Sequence, residues 1–365
     1  MRSIFICSAL LIISCSTKEK PTTSISGTIN GLAQSFILLS KVDNVQEKKT
    51  TVIDTLQVQE NGTFQSKNLQ APAIYTLTFN NKKTMQLAID KNQAVVIEGS
   101  HLDSLNVTGS KDSELLLAYE TFRKESLNRL VYAVRKEIST LKKEQASEQK
   151  ITELRALEIE NYNKHLAELT VFIEEKMGTS IAIYPTSIRW NGENLASYKN
   201  IVANFKAAHP NIEITSKLEK RVELLQKTAV GSYVSSIEMP LKEGTIITLN
   251  SVKKTYTLVD FWASWCPPCR TESAMLNTLY NTYHSKGFEI YGISLDSKKQ
   301  RWLDALEKDN RVWPNVSTVE GFKSAVAIEY GITALPTNFI INEEGKIIAS
   351  NIHGEHLKAF IEDLF

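Results

Sequence analysis

Two cysteines three positions apart carry the clearest chemistry in this 365-residue sequence. Cys266 and Cys269 are separated by Pro267 and Pro268, a CxxC spacing that lets two thiols close a small, reversible disulfide. The residues directly before them, 257–263, are apolar and β-prone, so we expect a buried strand that leads into a helix beginning at the cysteines. The motif predicts dithiol–disulfide exchange.

The two cysteines have different predicted roles. Unpaired N–H groups at a helix N-terminus stabilise a thiolate, so Cys266, first in the helix and expected to be exposed, is the predicted attacking nucleophile. Cys269, one turn further on, is the predicted buried resolving thiol. Pro267 and Pro268 fit a helix start but carry no N–H group, so donors that would stabilise the thiolate are missing. Because strong oxidants have an unusually stabilised thiolate, we expect a reductant.

Two acidic residues flank the cysteine pair. Asp260 lies in the apolar strand, six residues before the nucleophile and on the same face as Leu258 and Trp262. Burial would raise its pKa and suit it to exchange a proton with Cys269. The alternative is a structural aspartate that pairs with a lysine or caps a neighbouring helix. Glu272, three residues after Cys269, either lies near the cysteines or belongs to a solvated helix face.

The other two cysteines belong to an N-terminal targeting segment. The apolar stretch 4–13 has the length of a signal-peptide core and is too short to span a bilayer as a helix. It ends in an Ile-Ile-Ser-Cys sequence that resembles a bacterial lipobox. We expect residues 1–15 to be a lipoprotein signal with Cys15 lipidated, Cys7 to be removed, and 16–23 to form a tether. An ordinary secretory signal or a short membrane anchor is the alternative.

Each of these interpretations places the body of the protein outside the cytosol, in the cell envelope. We expect a lipid-anchored protein on the periplasmic side or at the outer membrane. Disulfides persist in such compartments, and after processing one cysteine pair would remain. A chain without a second pair has no separate structural disulfide, which favours a catalytic role for the CxxC motif.

Composition and charge argue against several other functions. The formal net charge is +1, and the chain has 42% hydrophobic and 23% charged residues, an ordinary globular composition without the basic surface that nucleic acids require. The sequence contains neither a glycine-rich phosphate loop nor an HExxH motif. Among the six histidines, His353 and His356 are expected to lie at the surface or to cap a helix. We therefore expect no metal and no bound cofactor.

Before the catalytic part, two regions differ in the periodicity of their apolar residues. Residues 24–110 alternate apolar and polar positions with turn residues between short runs, which predicts a small β domain, a sandwich. Residues 111–230 have helical periodicity and predict a helical connector, either a hairpin or one long helix, with a coiled-coil dimer seam as the alternative. Within it, Ser216 and Glu219 have capping-box spacing, which predicts a helix start.

Residues 232–365 form the predicted catalytic part. Strands alternate with helices, and Gly345 marks a hairpin turn between two apolar runs near the end. Parallel strands joined by helices and followed by an antiparallel hairpin require a mixed sheet covered on both faces. The fold class is therefore α/β for this part, preceded by an all-β domain and the helical connector.

This catalytic part resembles thioredoxin-like proteins of the TlpA, ResA and DsbE type. The resemblance rests on Asp260–Arg270 and on Tyr330–Ile341, and it covers the last third of the chain. It implies a thioredoxin-like fold in which Pro336 is cis, faces the cysteines and shapes the groove for substrate backbone. Residues 24–230 also resemble, more weakly, the extension of bacterial lipoproteins that carry a small β domain before a thioredoxin domain.

The same resemblance implies roles for neighbouring residues. Asp260 matches the buried acid of thioredoxins, and Glu272 matches an acidic residue that ResA-like proteins place near their cysteines. Trp265 is expected to shield the disulfide and contact partners, with a packing role as the alternative. Thr337, on the strand after Pro336, is a further candidate for the substrate groove.

The sequence thus predicts an extracytoplasmic thiol–disulfide oxidoreductase that reduces protein disulfides, in cytochrome c maturation or in maintaining envelope thiols. Its expected partners are protein thiols and disulfides and an upstream membrane electron donor. The first alternative is a binding or scaffold lipoprotein with a redox-idle thioredoxin domain. The second is a copper-handling protein, which is expected to have CxxxC and a distant histidine, whereas this chain has CxxC and no histidine near Pro336.

Overall fold

The computed structural model describes residues 23–32, 34–80, 82–145 and 148–365. The predicted signal segment and the lipidation site Cys15 lie outside the described residues. No helix in the part of the chain that the structure describes is both long enough and apolar enough to cross a membrane.

Eight strands form the N-terminal part of the chain that the structure describes. They make two four-stranded sheets of order β4-β1-β7-β8 and β3-β2-β5-β6, in which only β1 and β7 are paired in parallel. Side chains from both sheets, including Ile25, Leu77 and Ile97, share one core, so the two sheets pack face to face. The strands are β1 Ser24–Ile29, β2 Phe36–Asn44, β3 Lys49–Gln57, β4 Thr63–Ser66, β5 Ala73–Phe79, β6 Lys83–Ile89, β7 Ala94–Gly99 and β8 Asn106–Thr108.

Six α-helices follow the β-strands in the described ranges up to residue 230. The first two are joined by one π-helical turn, Asn128–Tyr132, and the third packs back along both, so this part is a hairpin. The helices bury their apolar stripes in a core shared with Val42 and Ile74 of the β part, which joins the connector to the outer face of a sheet. They are α1 Lys111–Leu127, α2 Ala133–Lys143, α3 Glu148–Phe172, α4 Ile183–Thr186, α5 Leu195–Ala208 and α6 Glu213–Lys227.

The predicted helix start at Ser216 is wrong. α6 begins one turn earlier, with Ile212 as its N-cap residue, and Ser216 and Glu219 lie inside the helix. The apolar stripe decides this boundary, because Ile214 and Leu218 both enter the core and one continuous helix buries both.

The C-terminal part contains a five-stranded sheet of order β13-β12-β11-β14-β15, in which β11, β12 and β13 are parallel and the last two strands antiparallel. A small hairpin, β9–β10, precedes it. The elements are β9 Glu238–Pro240, β10 Ile246–Thr248, α7 Leu249–Val252, β11 Tyr256–Trp262, α8 Pro267–Tyr283, β12 Phe288–Ser294, α9 Lys299–Lys308, β13 Asn315–Val316, α10 Ala325–Glu329, β14 Thr337–Asn342, β15 Ile347–Ser350 and α11 Gly354–Glu362.

Both faces of this sheet are covered, which confirms the predicted mixed, two-sided α/β architecture. On one face Leu258 and Ile290 pack against α8 and α11. On the other, Val259 and Ile293 pack against side chains of α7 and α10. Burial on both sides explains why β11 is an almost continuous apolar run rather than an alternating one. α3 of the helical connector also packs against α8, so the connector is in direct contact with the helix that carries the cysteines.

Candidate redox-active site

The cysteine pair lies at the start of α8, four residues after the end of β11. Cys266 and Cys269 are joined by a disulfide, with their Cα atoms 5.4 Å apart. Cys266 is the N-cap residue of α8, and its backbone N–H donates to the carbonyl of Ala263 at 3.0 Å. The tight turn after the strand thus places the first cysteine at the amino end of the helix.

The expectation that Cys266 is exposed is wrong, because only 3% of its surface is accessible. It lies in an apolar cluster with Trp262 and Trp302, and Leu335 from the opposite loop packs against the same cluster. Cys269 is buried as well. The sulfur atom of Cys266 is therefore nearly covered, and its accessibility depends on the residues around it.

The helix start offers the Cys266 sulfur few donors. Pro267 and Pro268 occupy the first helical positions and have no N–H group. The N–H of Cys269 points at Cys266 Sγ, with N and S 3.3 Å apart. The next N–H, of Arg270, is taken by the Cys266 carbonyl at 3.1 Å. Of the first four residues of α8, Cys269 is thus the one whose N–H contacts the sulfur.

Asp260 is buried, and its partner is an arginine. Its Oδ2 accepts a hydrogen bond from Nη1 of Arg311 at 3.0 Å, and both side chains are almost completely inaccessible. Burial raises the pKa of Asp260, and the charge of Glu272 acts in the same direction, whereas the Arg311 guanidinium opposes the rise. Among the described residues, neither a lysine nor a backbone N–H at a helix start is a hydrogen-bond partner of Asp260, so the lysine and helix-cap alternatives are not realised there.

Arg311 is a candidate-site residue that sequence reasoning missed. Besides Asp260, it donates from Nε to Ser273 Oγ at 2.9 Å and from Nη2 to the Cys269 carbonyl at 2.9 Å. Its guanidinium carbon lies 3.8 Å from the centre of the Trp262 ring. Arg311 follows α9, 42 residues after Cys269, and no spacing rule connects it to the motif. One charged group therefore joins the strand β11, the helix α8 and the backbone of Cys269.

Glu272 does not lie on a solvated helix face. It is buried, and its carboxylate accepts a hydrogen bond from the Gly354 N–H at 2.8 Å and lies 3.4 Å from His353 Nδ1. Burial by itself would raise the pKa of Glu272, but His353 and the Gly354 N–H outweigh it and hold the pKa below its usual value. The expected surface position of His353 is wrong, since its side chain is buried. The alternative, a helix cap, holds for its position, because His353 is the N-cap residue of α11, although its side chain makes no capping hydrogen bond. Burial acts to lower the pKa of His353, and Glu272 reverses this and raises it.

The loop before β14 lies opposite the cysteines. The Leu335–Pro336 peptide bond is cis, and Leu335 packs on the cluster that contains the disulfide. Thr337 pairs with Phe261 at the end of β11, and its hydroxyl donates to the carbonyl of Ala334 at 2.9 Å. Pro336 and Thr337 are thus brought to the same end of the sheet as the cysteines.

Trp265 is 48% exposed beside Cys266, and its ring lies 6.0 Å from that of Phe322. The backbone before it is held by Asp296, a second residue that the sequence did not single out. Asp296 accepts hydrogen bonds from the N–H of Ser264 at 2.9 Å and from its hydroxyl at 2.6 Å. These bonds fix the turn from which Trp265 projects into solvent. Within the described ranges, no group of three His, Cys, Asp or Glu side chains is arranged to hold a metal ion.

Comparison with known proteins agrees with this geometry. Residues 230–350 match the model of the AhpC/TSA family, and residues 23–116 match DUF4369, a domain of unknown function. The thiol-disulfide oxidoreductase ResA of Bacillus anthracis is 33% identical over 145 residues, which is 38% of this chain and 77% of that protein. A DsbE homolog, a thiol:disulfide interchange protein of Paracoccus denitrificans, is 37% identical over 91 residues, 25% of this chain and 47% of that protein.

Among solved structures, the chain is similar to the C-terminal domain of a putative thiol-disulfide oxidoreductase from Bacteroides thetaiotaomicron. The two are 36% identical, the match covers 38% of this chain and 96% of that domain, and the TM-score is 0.36. The ResA match extends over more than two thirds of that relative. The AhpC/TSA match, residues 230–350, covers the part that carries the CxxC motif. Through its C-terminal third, the chain therefore belongs to the ResA-type thiol-disulfide oxidoreductases, enzymes with a thioredoxin-like fold.

Proposed function

We propose that this oxidoreductase acts in the cell envelope as a reductant of protein disulfides, in cytochrome c maturation or in keeping envelope thiols reduced. The observation that carries the direction of electron flow is the helix start. Pro267 and Pro268 leave the Cys269 N–H as the donor that contacts Cys266 Sγ. A thiolate with so few donors is less stabilised than one facing a full set of N–H groups, so the reduced enzyme readily gives up its electrons.

In the proposed cycle, Cys266 is the nucleophile and Cys269 the resolving thiol. The Cys266 thiolate attacks one sulfur of a partner disulfide, forming a mixed disulfide and releasing the second partner sulfur, which takes up a proton. Cys269 then loses its proton and attacks Cys266 Sγ, releasing the first partner sulfur as a thiol. Two electrons pass from the enzyme dithiol to the partner, and the Cys266–Cys269 disulfide forms. An upstream membrane donor of thiol electrons restores the dithiol.

The acidic residues serve the second half of this cycle. Asp260 accepts the proton that leaves Cys269, a role supported by its burial and by Arg311, which bonds both the Asp260 carboxylate and the Cys269 carbonyl. Both oxygens of Glu272 are engaged by Gly354 and His353, so Glu272 acts on Asp260 through its charge. The link between Asp260 and Cys269 on which this proposal rests is their shared partner, Arg311.

Substrate binding is assigned to the residues around the nearly covered sulfur. Trp265 offers an exposed ring beside Cys266, and the Pro336–Thr337 segment lies across from it. A peptide segment carrying a disulfide would lie between the two, with its backbone along the Pro336 loop. The Thr337 hydroxyl already donates to Ala334, so this residue contributes shape and a free lone pair rather than a free donor.

Attachment to the membrane is proposed through lipidated Cys15, which the lipobox-like sequence before it supports. The test is metabolic labelling with a palmitate analogue in a bacterial host that processes lipoproteins. Wild-type protein should take up label and sediment with membranes, whereas Cys15→Ala should do neither. An unlabelled wild type would rule out the lipid anchor and leave the redox proposal untouched.

The redox direction is tested by equilibrating the purified protein with glutathione or dithiothreitol buffers. A reduction potential of about −270 mV is expected, in contrast to about −120 mV for a strong periplasmic oxidant. A value near the latter would contradict the proposed direction.

Partner proteins can be captured with Cys269→Ala, which leaves Cys266 free and should accumulate the mixed disulfide for mass spectrometry. Cys266→Ser is the matched control and should trap nothing. In an insulin-reduction assay the wild type should turn over, whereas a redox-idle scaffold would not.

A further inference from the structure

Arg221 of α6 is a buried charge in the helical connector without an acid beside it. It is 2% exposed, and within the described residues no carboxylate lies at ion-pair distance from it. Burial lowers the pKa of Arg221 to about 10. Backbone carbonyls take the place of a counter-ion: Nε donates to Ser187 O at 3.2 Å and Nη2 to Trp190 O at 2.5 Å. Burying a guanidinium costs free energy unless hydrogen-bond acceptors replace the water that it loses.

The same guanidinium reaches out of the connector into the catalytic part. Nη1 of Arg221 donates to the Gly331 carbonyl at 2.8 Å, and Nη2 lies 3.5 Å from Thr333 Oγ1. The Thr333 hydroxyl in turn donates to the carbonyl of Ile188 in the connector at 3.3 Å. Arg221 and Thr333 therefore form a reciprocal tie between the connector and one short loop.

Gly331 is suited to this close approach. Its φ is +63°, a conformation that side chains other than glycine rarely adopt. A Cβ atom there would lie 2.9 Å from Arg221 Nη1 and 3.0 Å from Leu224 Cβ. The glycine thus allows α6 to lie directly against the loop, and a side chain at this position would push the helix away.

The tied loop is the one that faces the disulfide. Thr333 precedes Leu335 by two residues, and Leu335 packs on the cluster that contains Cys266 and Cys269. β14 begins at Thr337 beside the end of β11. The loop is therefore held by the sheet on its C-terminal side and by the connector on its N-terminal side.

We propose that Arg221 is a positioning residue for substrate binding: by holding Gly331 and Thr333, the helical connector sets the position of the Pro336 loop against which a polypeptide disulfide lies. The inference rests on the proposed role of this loop in substrate binding. A polypeptide lies along the loop on either side of its disulfide and depends on the loop position. A small disulfide needs access to Cys266 Sγ alone and is insensitive to it.

The test compares a polypeptide with a small substrate in the full-length protein. Arg221→Met removes both bonds to the loop, and Thr333→Val removes the hydroxyl at nearly constant volume. With fluorescein-labelled insulin and dithiothreitol as reductant, KM should rise about tenfold for R221M and about threefold for T333V, with kcat little changed. The rate of reduction of oxidised glutathione should stay within about twofold of the wild-type rate. The reduction potential should equal that of the wild type within experimental error.

Lys220→Met is the matched control, because Lys220 lies on the same helix but is exposed and pairs with Glu223 at 2.8 Å; its KM should equal that of the wild type. If R221M does not fold, the insulin KM of T333V tests the inference by itself. An unchanged insulin KM in a folded R221M or T333V would overturn the inference, and so would an equal loss of rate with oxidised glutathione, which indicates general damage to the site.

Trp265→Ala separates failure of this inference from failure of the proposed function. A wild type that does not reduce insulin, or a W265A variant with wild-type KM, contradicts the proposed substrate site and the inference with it. A W265A variant with raised KM, beside R221M and T333V variants with wild-type KM, shows that insulin binds at this site without help from the connector and overturns the inference alone.

Discussion

Replacing Arg311 by methionine should destabilise the C-terminal part strongly, although Arg311 belongs to no recognisable motif. The substitution keeps an unbranched apolar side chain but removes the guanidinium that lies over Trp262, together with its three hydrogen bonds, to Asp260, Ser273 and the Cys269 carbonyl. Asp260 is then left as a buried carboxylate without a counter-charge.

The expected loss of unfolding free energy in R311M follows from the burial of the Asp260–Arg311 pair. Removing one partner of a fully buried ion pair costs about 3–5 kcal/mol, because the remaining charge stays desolvated. Arg270, which pairs with Asp309 and is partly exposed, provides the matched control. The Arg270→Met substitution should cost about 1 kcal/mol or less, since solvent screens a partly exposed pair.

The loss of stability in R311M should also depend on pH. Burial already raises the pKa of Asp260, and without Arg311 to oppose it the pKa should rise further. A carboxyl group with a raised pKa binds a proton in the folded state that it releases on unfolding. The free energy of unfolding therefore falls by up to about 1.4 kcal/mol per pH unit, from the unfolded pKa of about 4 up to the folded pKa. In R311M this interval should extend to higher pH than in the wild type.

Urea unfolding followed by tryptophan fluorescence measures these differences. Four of the five tryptophans, 262, 265, 302 and 313, lie in the C-terminal part, so the signal reports on it. The double variant Asp260→Val/Arg311→Met should regain most of the lost stability, because an apolar pair replaces the unpaired charge, and it should lose the additional pH dependence. Equal stability of R311M and R270M, or a double variant no more stable than R311M, would refute the reasoning.

Two further outcomes follow from the buried acids. His353→Asn should lower thermal stability most between about pH 4.5 and 6.5, where Glu272 is ionised and His353 protonated. The difference should fade at higher pH, as the wild type loses the proton from the raised pKa of His353, and at lower pH, as Glu272 is protonated through its lowered pKa; a constant difference from pH 5 to 9 would exclude the pair. Asp260→Asn leaves the buried Arg311 charge unpaired and should also lower stability. In the folded variant, resolution by Cys269 should be slower in stopped-flow exchange, and unchanged kinetics across neutral pH would rule out a proton-transfer role.

Much of the C-terminal part was predictable because its information is local. The apolar run 257–263 is continuous since β11 is covered on both faces, and Gly345 adopts the positive φ of a hairpin turn. The CxxC motif follows this strand directly, so spacing alone brings the cysteines to a helix start. Helix boundaries in the connector were less predictable: Ser216 has the spacing of a cap, yet burial of Ile214 starts α6 earlier.

The partners of the buried charges could not be predicted. Asp260 finds Arg311 across 51 positions, and Glu272 finds His353 across 81. Such pairs form where β11, α8 and the loops after α9 and β15 meet, and no periodicity within one segment specifies which charges will face each other. The same holds for Arg221, whose contact with Gly331 spans 110 positions and two parts of the chain.

By itself, the sequence determined the reaction, because two thiols at CxxC spacing after a buried strand form one reversible disulfide in any context that retains the strand and helix. The tertiary structure decided how accessible that disulfide is, which charges lie behind it and what holds the loop in front of it. Cys266 is covered rather than exposed because Trp302 and Leu335 pack against it from other elements. Chemistry that depends on neighbours in the chain is readable from residue spacing, whereas burial and electrostatics arise only when distant segments pack together.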